Sequence, residues 1–225
     1  MSGVWINTDV YTSLQLFFYL GGFLLWGIGY VLVIRRIIKS KFVEVPVFAV
    51  CGNITWEFLW GFYFETDMGL LLVWFYRLGA LLDVGILVSV FLYGRKQLIS
   101  EAVSKHFYPM VVGALIIWTC MYLAFEKQGY DLPLGSNSAY IVNLAMSILY
   151  ILLALNLSNP HLLSIPIGWL KGLGTGMVTV FVFLAYPDNL FVQVISVVVG
   201  VLDVIYMVLL YRLQARIPAP QEGTA

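Results

Sequence analysis

The sequence predicts an all-α polytopic membrane protein: seven transmembrane helices, N-terminus outside, C-terminus in the cytoplasm. Three observations carry that reading. The 225 residues are 61% hydrophobic and only 11% charged, against about 25% charged in a soluble domain. Seven apolar runs approach or exceed the roughly 20 residues that a spanning helix needs. The loops between them alternate in charge.

The runs cover 14–34, 46–64, 70–93, 108–125, 139–158, 164–186 and 189–211. They are too long and continuous for barrel strands, so helices are left as the way to satisfy the backbone in lipid. The first follows "MSGVWINTDVYTS", which lacks the basic region and cleavage site of a signal peptide, and is read as a retained helix. It ends at Arg35, Arg36, Lys39 and Lys41; the third is followed by Arg95, Lys96 and Lys105, and the seventh by Arg212 and Arg216. The opposite loops hold Lys127 as their one basic residue, with Asp9, Glu65, Asp67, Glu126, Asp131 and Asp188. The positive-inside rule gives the orientation. Short connections make residues 1–225 one domain, with 212–225 read as a flexible cytoplasmic tail. Zero net charge offers nothing to a nucleic acid. Cys51 and Cys120 both fall in apolar runs and read as small packing residues.

Five ionisable residues fall inside the spans: Glu57, Arg77, Asp83, Lys171 and Asp203. A charge at mid-membrane costs about 2.5–3.5 kcal/mol on insertion scales, so such residues face a bundle interior and mark function. Helical spacing groups them with neighbours. The second span carries Asn53, Trp56, Glu57 and Trp60 on one stripe. The third carries Tyr76, Gly79, Ala80, Asp83 and Leu87, with Arg77 on another face. The fifth aligns Tyr140, Asn143, Ser147 and Tyr150; the sixth Lys171, Thr175 and Thr179; the seventh Ser196, Gly200, Asp203 and Tyr206. Glu57 reads either as a functional acid or as the ion partner of Arg77 at equal depth. Lys171 either snorkels to the cytoplasmic interface or neutralises Asp203. Asp83 either faces the site or bonds a neighbouring helix.

"GNITWEFLW" on the second span and "GVLDVIY" on the last resemble the small seven-helix membrane-bound terpene cyclases of meroterpenoid and indole-diterpene pathways. The resemblance extends over essentially the whole chain. It implies acid chemistry by a glutamate on the second span and an aspartate on the last, here Glu57 and Asp203. "LGALLDVG" resembles the family as well but gives Asp83 no role. The chemistry agrees. Proton-initiated cyclisation needs an acid near a terminal olefin or epoxide, and a surface that stabilises carbocations without attacking them. Desolvation disfavours the anion of a carboxyl group, so an acid in apolar surroundings stays protonated and can act as a general acid. Aromatic faces attract cations; Trp56, Trp60, Phe62, Tyr63, Tyr76 and Tyr140 supply them. The expected substrate-binding set is Asn53, Trp56, Trp60, Tyr76, Asp83, Tyr140, Asn143 and Tyr206, beside the catalytic pair Glu57 and Asp203.

No diphosphate leaves in such a reaction and the chain has no Asp-rich diphosphate motif, so neither metal nor cofactor is expected. The expected partners are a lipophilic small-molecule substrate that enters from the lipid bilayer, and other enzymes of a biosynthetic pathway. A bacterial inner membrane and a eukaryotic endoplasmic reticulum both suit the chain. The alternative is a small seven-helix transporter or sensor of 3+1+3 repeat architecture. "LDV" recurs at 82–84 and 202–204, but Glu57 has no acidic counterpart on the sixth span. A retinal protein would need a lysine on the seventh span, which has none.

Overall fold

The structure, a computed structural model, describes residues 4–97 and 100–217. Eight α-helices follow one another: α1 (Ser13–Ser40), α2 (Val47–Phe62), α3 (Leu70–Tyr93), α4 (Glu101–Lys105), α5 (Phe107–Lys127), α6 (Ser136–Asn156), α7 (Ile165–Ala185) and α8 (Leu190–Arg216). No strand occurs among the described residues. Among them, six helices are long and apolar enough to cross a membrane: all but α2 and the short α4.

Packing explains why α2 is shorter. Its 16 residues rise about 24 Å at 1.5 Å per residue, less than the ~30 Å of a hydrocarbon core. Yet α2 is the interior helix. Ten of its residues are buried, and it packs against α3, α5 and α6. The segment leading into it is not helical, but Val43, Glu44 and Val45 are buried. The protein covers this irregular backbone. Six helices, α2 among them, close a ring in which α1 packs on α3, α3 on α2, α2 on α6, α6 on α8, α8 on α7 and α7 on α1; α5 lies outside against α2.

Helix ends follow local chemistry. Thr12 and Gln15 form a capping box at the start of α1. Its far end runs six residues beyond the expected boundary and stops at Lys41, whose backbone is left-handed (φ 57°) and whose N–H bonds the Ile37 carbonyl. At the start of α3, Gly69 has φ 109°. The Leu70 and Leu71 N–H groups donate to the carbonyls of Val4 and Trp5 at 3.1 and 3.0 Å, so the N-terminal segment caps this helix. Residues 212–216, expected in the tail, continue α8; the tail expected at 218–225 lies outside the described residues.

Candidate active site

The site is assembled around α2. Its Asn53–Trp56–Glu57 stripe faces α1, α3 and α6 across a cavity of about 510 Å³. The walls bring together Tyr19, Phe23, Trp26 and Tyr30 of α1, Phe75 of α3 and Tyr140 of α6. Polar groups are few: Asn53, Glu57, Ser136, Asn143 and Thr175 join the tyrosines, with Arg35 at one end.

Glu57 is buried at 7% exposure. The Tyr30 hydroxyl donates to its Oε1 at 2.9 Å, and Asn53 Nδ2 donates in turn to that hydroxyl. Asn53 therefore orients Glu57 through Tyr30. The other oxygen, Oε2, is buried with no partner among the described residues. It lies over Gly79 of α3: a Cβ on Gly79 would stand 2.5 Å from Oε2 and 2.6 Å from the carboxyl carbon. Glycine here gives the acid its seat.

Arg77 is not the counter-ion of Glu57. Its Nε donates to the Gly61 carbonyl at 2.9 Å, and its guanidinium lies over Phe62 and Trp74, 5.2 and 5.1 Å from their centroids. Depth alone suggested the pair; the two side chains leave their helices in different directions.

Asp203 has different surroundings. Lys171 Nζ donates to its Oδ1 at 2.5 Å and to Ser147 Oγ at 2.8 Å, and Ser147 Oγ donates to the same Oδ1 at 2.8 Å. Lys171 is only 6% exposed, so it neutralises Asp203 and does not snorkel. Asp203 is absent from the walls of the large cavity. Asn143 and Thr175, joined by a 3.1 Å hydrogen bond, stand in the wall one turn from Ser147 and Lys171. A second cavity of about 30 Å³ is lined by Tyr30, Asn53, Asp83 and Lys171 among others. Asp83 Oδ2 is buried there without a partner among the described residues.

The expected binding set divides. Asn53, Trp56, Tyr140 and Asn143 line the large cavity, and Asp83 the small one. Trp60, Tyr76 and Tyr206 lie behind the walls. Trp60 packs on Gly135, and Tyr76 donates to the Leu134 carbonyl at 2.9 Å. The Tyr206 ring packs on Tyr150, 5.2 Å between centroids. Phe62 and Tyr63, expected to offer ring faces, are exposed on the periphery. Trp56 is fixed from behind by Ser138, which accepts its indole N–H at 2.8 Å and donates to Asp131. Burial raises the Asp131 carboxyl, against the hydrogen bonds of Ser138 and the amides that start α6.

A family model described as Pyr4-like transmembrane terpene cyclases matches residues 8–216. The chain belongs to that family. It is similar to a Pyr4-family terpene cyclase, mfmH, of Annulohypoxylon moriforme, at 28% identity over 48% of this chain and 44% of the relative. It is also similar to terpene cyclase macJ of Penicillium terrestre, at 28% over 68% of this chain and 60% of the relative. The chain thus matches about half the length of these curated relatives. No solved structure matches it. Family membership and the apolar helices make this an integral membrane protein, and favour the cyclase over the carrier or sensor. The contribution of α1 to the cavity of this chain was not among the sequence-based expectations. Its signal was present as an aromatic stripe, Tyr19, Phe23, Trp26 and Tyr30, at helical spacing.

Proposed function

We propose that the protein is a proton-initiated terpene cyclase of prenylated substrates, with Glu57 as the proton donor. The observation that carries this reading is a buried carboxyl group with no cation beside it, facing an aromatic cavity. Among the described residues the ion pairs are Arg36–Glu44 and Lys171–Asp203. A neutral donor, the Tyr30 hydroxyl, holds Oε1 and leaves Oε2 without a partner among the described residues, which suits a general acid that has a proton to give. The faces of Phe23, Trp26, Trp56 and Phe75 attract cationic carbon without offering it a nucleophile. Tyr30 and Asn53 fix the direction of proton transfer. The relatives' names support the class of reaction; an epoxide or olefin as the protonated group is part of the proposal.

The family resemblance assigns Asp203 a share in the acid chemistry. Its position behind Asn143 and Thr175 suits a group that acts through this wall. The orientation belongs to the same proposal: seven spans, including the interior α2, with the basic loops in the cytoplasm. Cysteines introduced at positions 67 and 131 should label from outside, and one at 97 only from the cytoplasm; outside labelling at 97 would reverse the orientation.

Incubating membranes that contain the protein with prenylated aromatics and their terminal epoxides tests the reaction. Cyclisation conserves mass, so products must be separated as isomers before mass spectrometry. New isomers that require both protein and Glu57 support the proposal. Substrate-dependent flux across vesicles with no isomer formed would return the carrier reading.

A further inference from the structure

The large cavity continues to the lipid-facing surface through a fissure between α1 and α3. Leu24, Ile28 and Val31 of α1 and Leu78 of α3 line it, and they are 61%, 43%, 40% and 52% exposed. Gly27 belongs to the same wall, and a Cβ there would meet nothing within 4 Å. Farther along, α1 and α3 come together: Ile34 Cδ1 stands 3.5 Å from where a Gly85 Cβ would be. Leu24, Gly27, Ile28, Val31 and Arg35 all line the cavity at the spacing of one helical face, so an apolar strip ends in a guanidinium.

Arg35 and Arg36 are neighbours with different employment. Arg36 is built into the fold: it pairs with Glu44 at 3.2 Å and donates to the carbonyls of His161 and Leu162. Arg35 is exposed and has no ion partner among the described residues. Helical side chains lean towards the helix N-terminus. For Arg35 that direction is back along the fissure, towards Val31 and the interior. Tyr30, which holds Glu57, lies five residues away, about 7.5 Å along the axis.

We propose that this fissure admits the substrate from the bilayer and that Arg35 binds its head, a carboxylate or similarly acidic oxygen on the ring of a prenylated aromatic. The inference rests on the cyclase reading and adds the class of head group. With the anion held at Arg35, the prenyl chain lies along Leu24, Gly27, Ile28 and Val31 and its terminus reaches Glu57. The short axial separation obliges a long chain to fold back inside the cavity, which ring formation also requires.

The test uses the full-length protein in phosphatidylcholine vesicles, with a prenylated hydroxybenzoic acid and its methyl ester, each as the terminal epoxide. The wild type should favour the free acid in kcat/KM by about tenfold, the worth of one hydrogen bond to a charged group. Arg35→Gln should raise KM for the acid by a similar factor, leave kcat within about twofold and change the ester little. Arg35→Lys should recover part of the preference. Gly27→Phe has room to fold and should lower kcat/KM for both probes at least tenfold by blocking the passage. Equal use of acid and ester by the wild type, equal losses for both probes in Arg35→Gln, or full activity in Gly27→Phe would overturn the inference. So would an Arg35→Gln effect that appears only when phosphatidylserine is added, since a lipid head group would then be the ligand. A wild type that cyclises other prenylated aromatics but neither probe also counts against the head group. If no prenylated compound is cyclised at all, the cyclase reading itself fails.

Discussion

Glu57 and Asp203 are both carboxyl groups buried at membrane depth, and their surroundings differ in kind. Glu57 is held by a tyrosine hydroxyl, sits on a glycine and faces a cavity. Asp203 is held by an ammonium group and a serine hydroxyl and faces none of the large cavity. A carboxyl group among neutral donors has its proton to give. One beside a lysine meets a charged partner instead. On the proposed reading, burial alone does not make a carboxyl group a proton donor; its partners decide.

The sharpest way to break this comparison is to remove each acid in turn. Glu57→Gln keeps the shape and loses the proton, so turnover should fall by about 10²–10⁴ in a normally folded variant. Asp203→Asn should chiefly destabilise, because Lys171 is left buried and unpaired at a cost of about 3–5 kcal/mol. Adding Lys171→Gln removes the orphaned charge and should restore the thermal midpoint. Activity measured on that double variant then decides. Recovery of both fold and turnover makes the pair structural; recovery of fold alone gives Asp203 the catalytic share that the family resemblance implies.

Gly79→Ala attacks the seat of Glu57 without touching its chemistry. The new methyl would stand 2.5 Å from Oε2, so the carboxyl must shift or the helices must part. Misplacement by about 1 Å can cost roughly 10²-fold in rate. A loss of that order with an unchanged thermal midpoint would confirm that position matters. Full activity would show that Glu57 works from some other pose.

Much of this was legible in the sequence, and the limits are physical. Apolar runs place the helices within a few residues because lipid demands them wherever they occur. Asn53, Trp56 and Glu57 declared themselves because polar residues on one helical face inside a membrane need an interior. Periodicity gives the direction of a side chain about its own helix and nothing about the rotation of the next one. Trp60 and Tyr76 therefore looked like wall residues and lie behind the wall. Arg77 matched Glu57 in depth and turns away. Tyr30 gave no polar signal, since its ring suits a lipid-depth helix and its hydroxyl matters only once α1 meets α2. Lys171 suited either the interface or a pairing with Asp203, and only the packing of α7 on α8 decides for the pair.

A smaller effect should follow from Tyr30→Phe, which removes the donor to Oε1 while keeping the ring in the cavity wall. One hydrogen bond contributes about 1 kcal/mol, so kcat should fall about fivefold with KM nearly unchanged. Asn53→Leu should fall in the same range, because it acts through the same hydroxyl. Their combination should cost little more than either alone, as coupled residues are not additive. Full additivity would mean that Asn53 reaches Glu57 by a route of its own.

A further buried carboxyl group, Glu44, extends the comparison to the end of the bundle and gives the smallest effect. Arg36 Nε lies 3.2 Å from one oxygen, and the Ser164 N–H donates to the other at 2.9 Å. Burial outweighs both partners and pushes the carboxyl up to about 7 from 4.5. The Arg36 side chain is 39% exposed, so water weakens its hold. A carboxyl group raised in the folded state binds its proton more tightly there than in the unfolded chain. Its contribution to stability is therefore largest at low pH and is lost as pH rises from about 4.5 to about 7. Lowering pH from about 7.5 to about 6 should stabilise the detergent-solubilised protein by about 1 kcal/mol through this group, or roughly 2–4 °C in Tm. Glu44→Gln should remove that increment while leaving the slopes due to Asp131 and other groups in place. The measurement is the difference in Tm between wild type and Glu44→Gln across the pH range. A difference that does not change with pH would mean that Arg36 holds Glu44 ionised throughout.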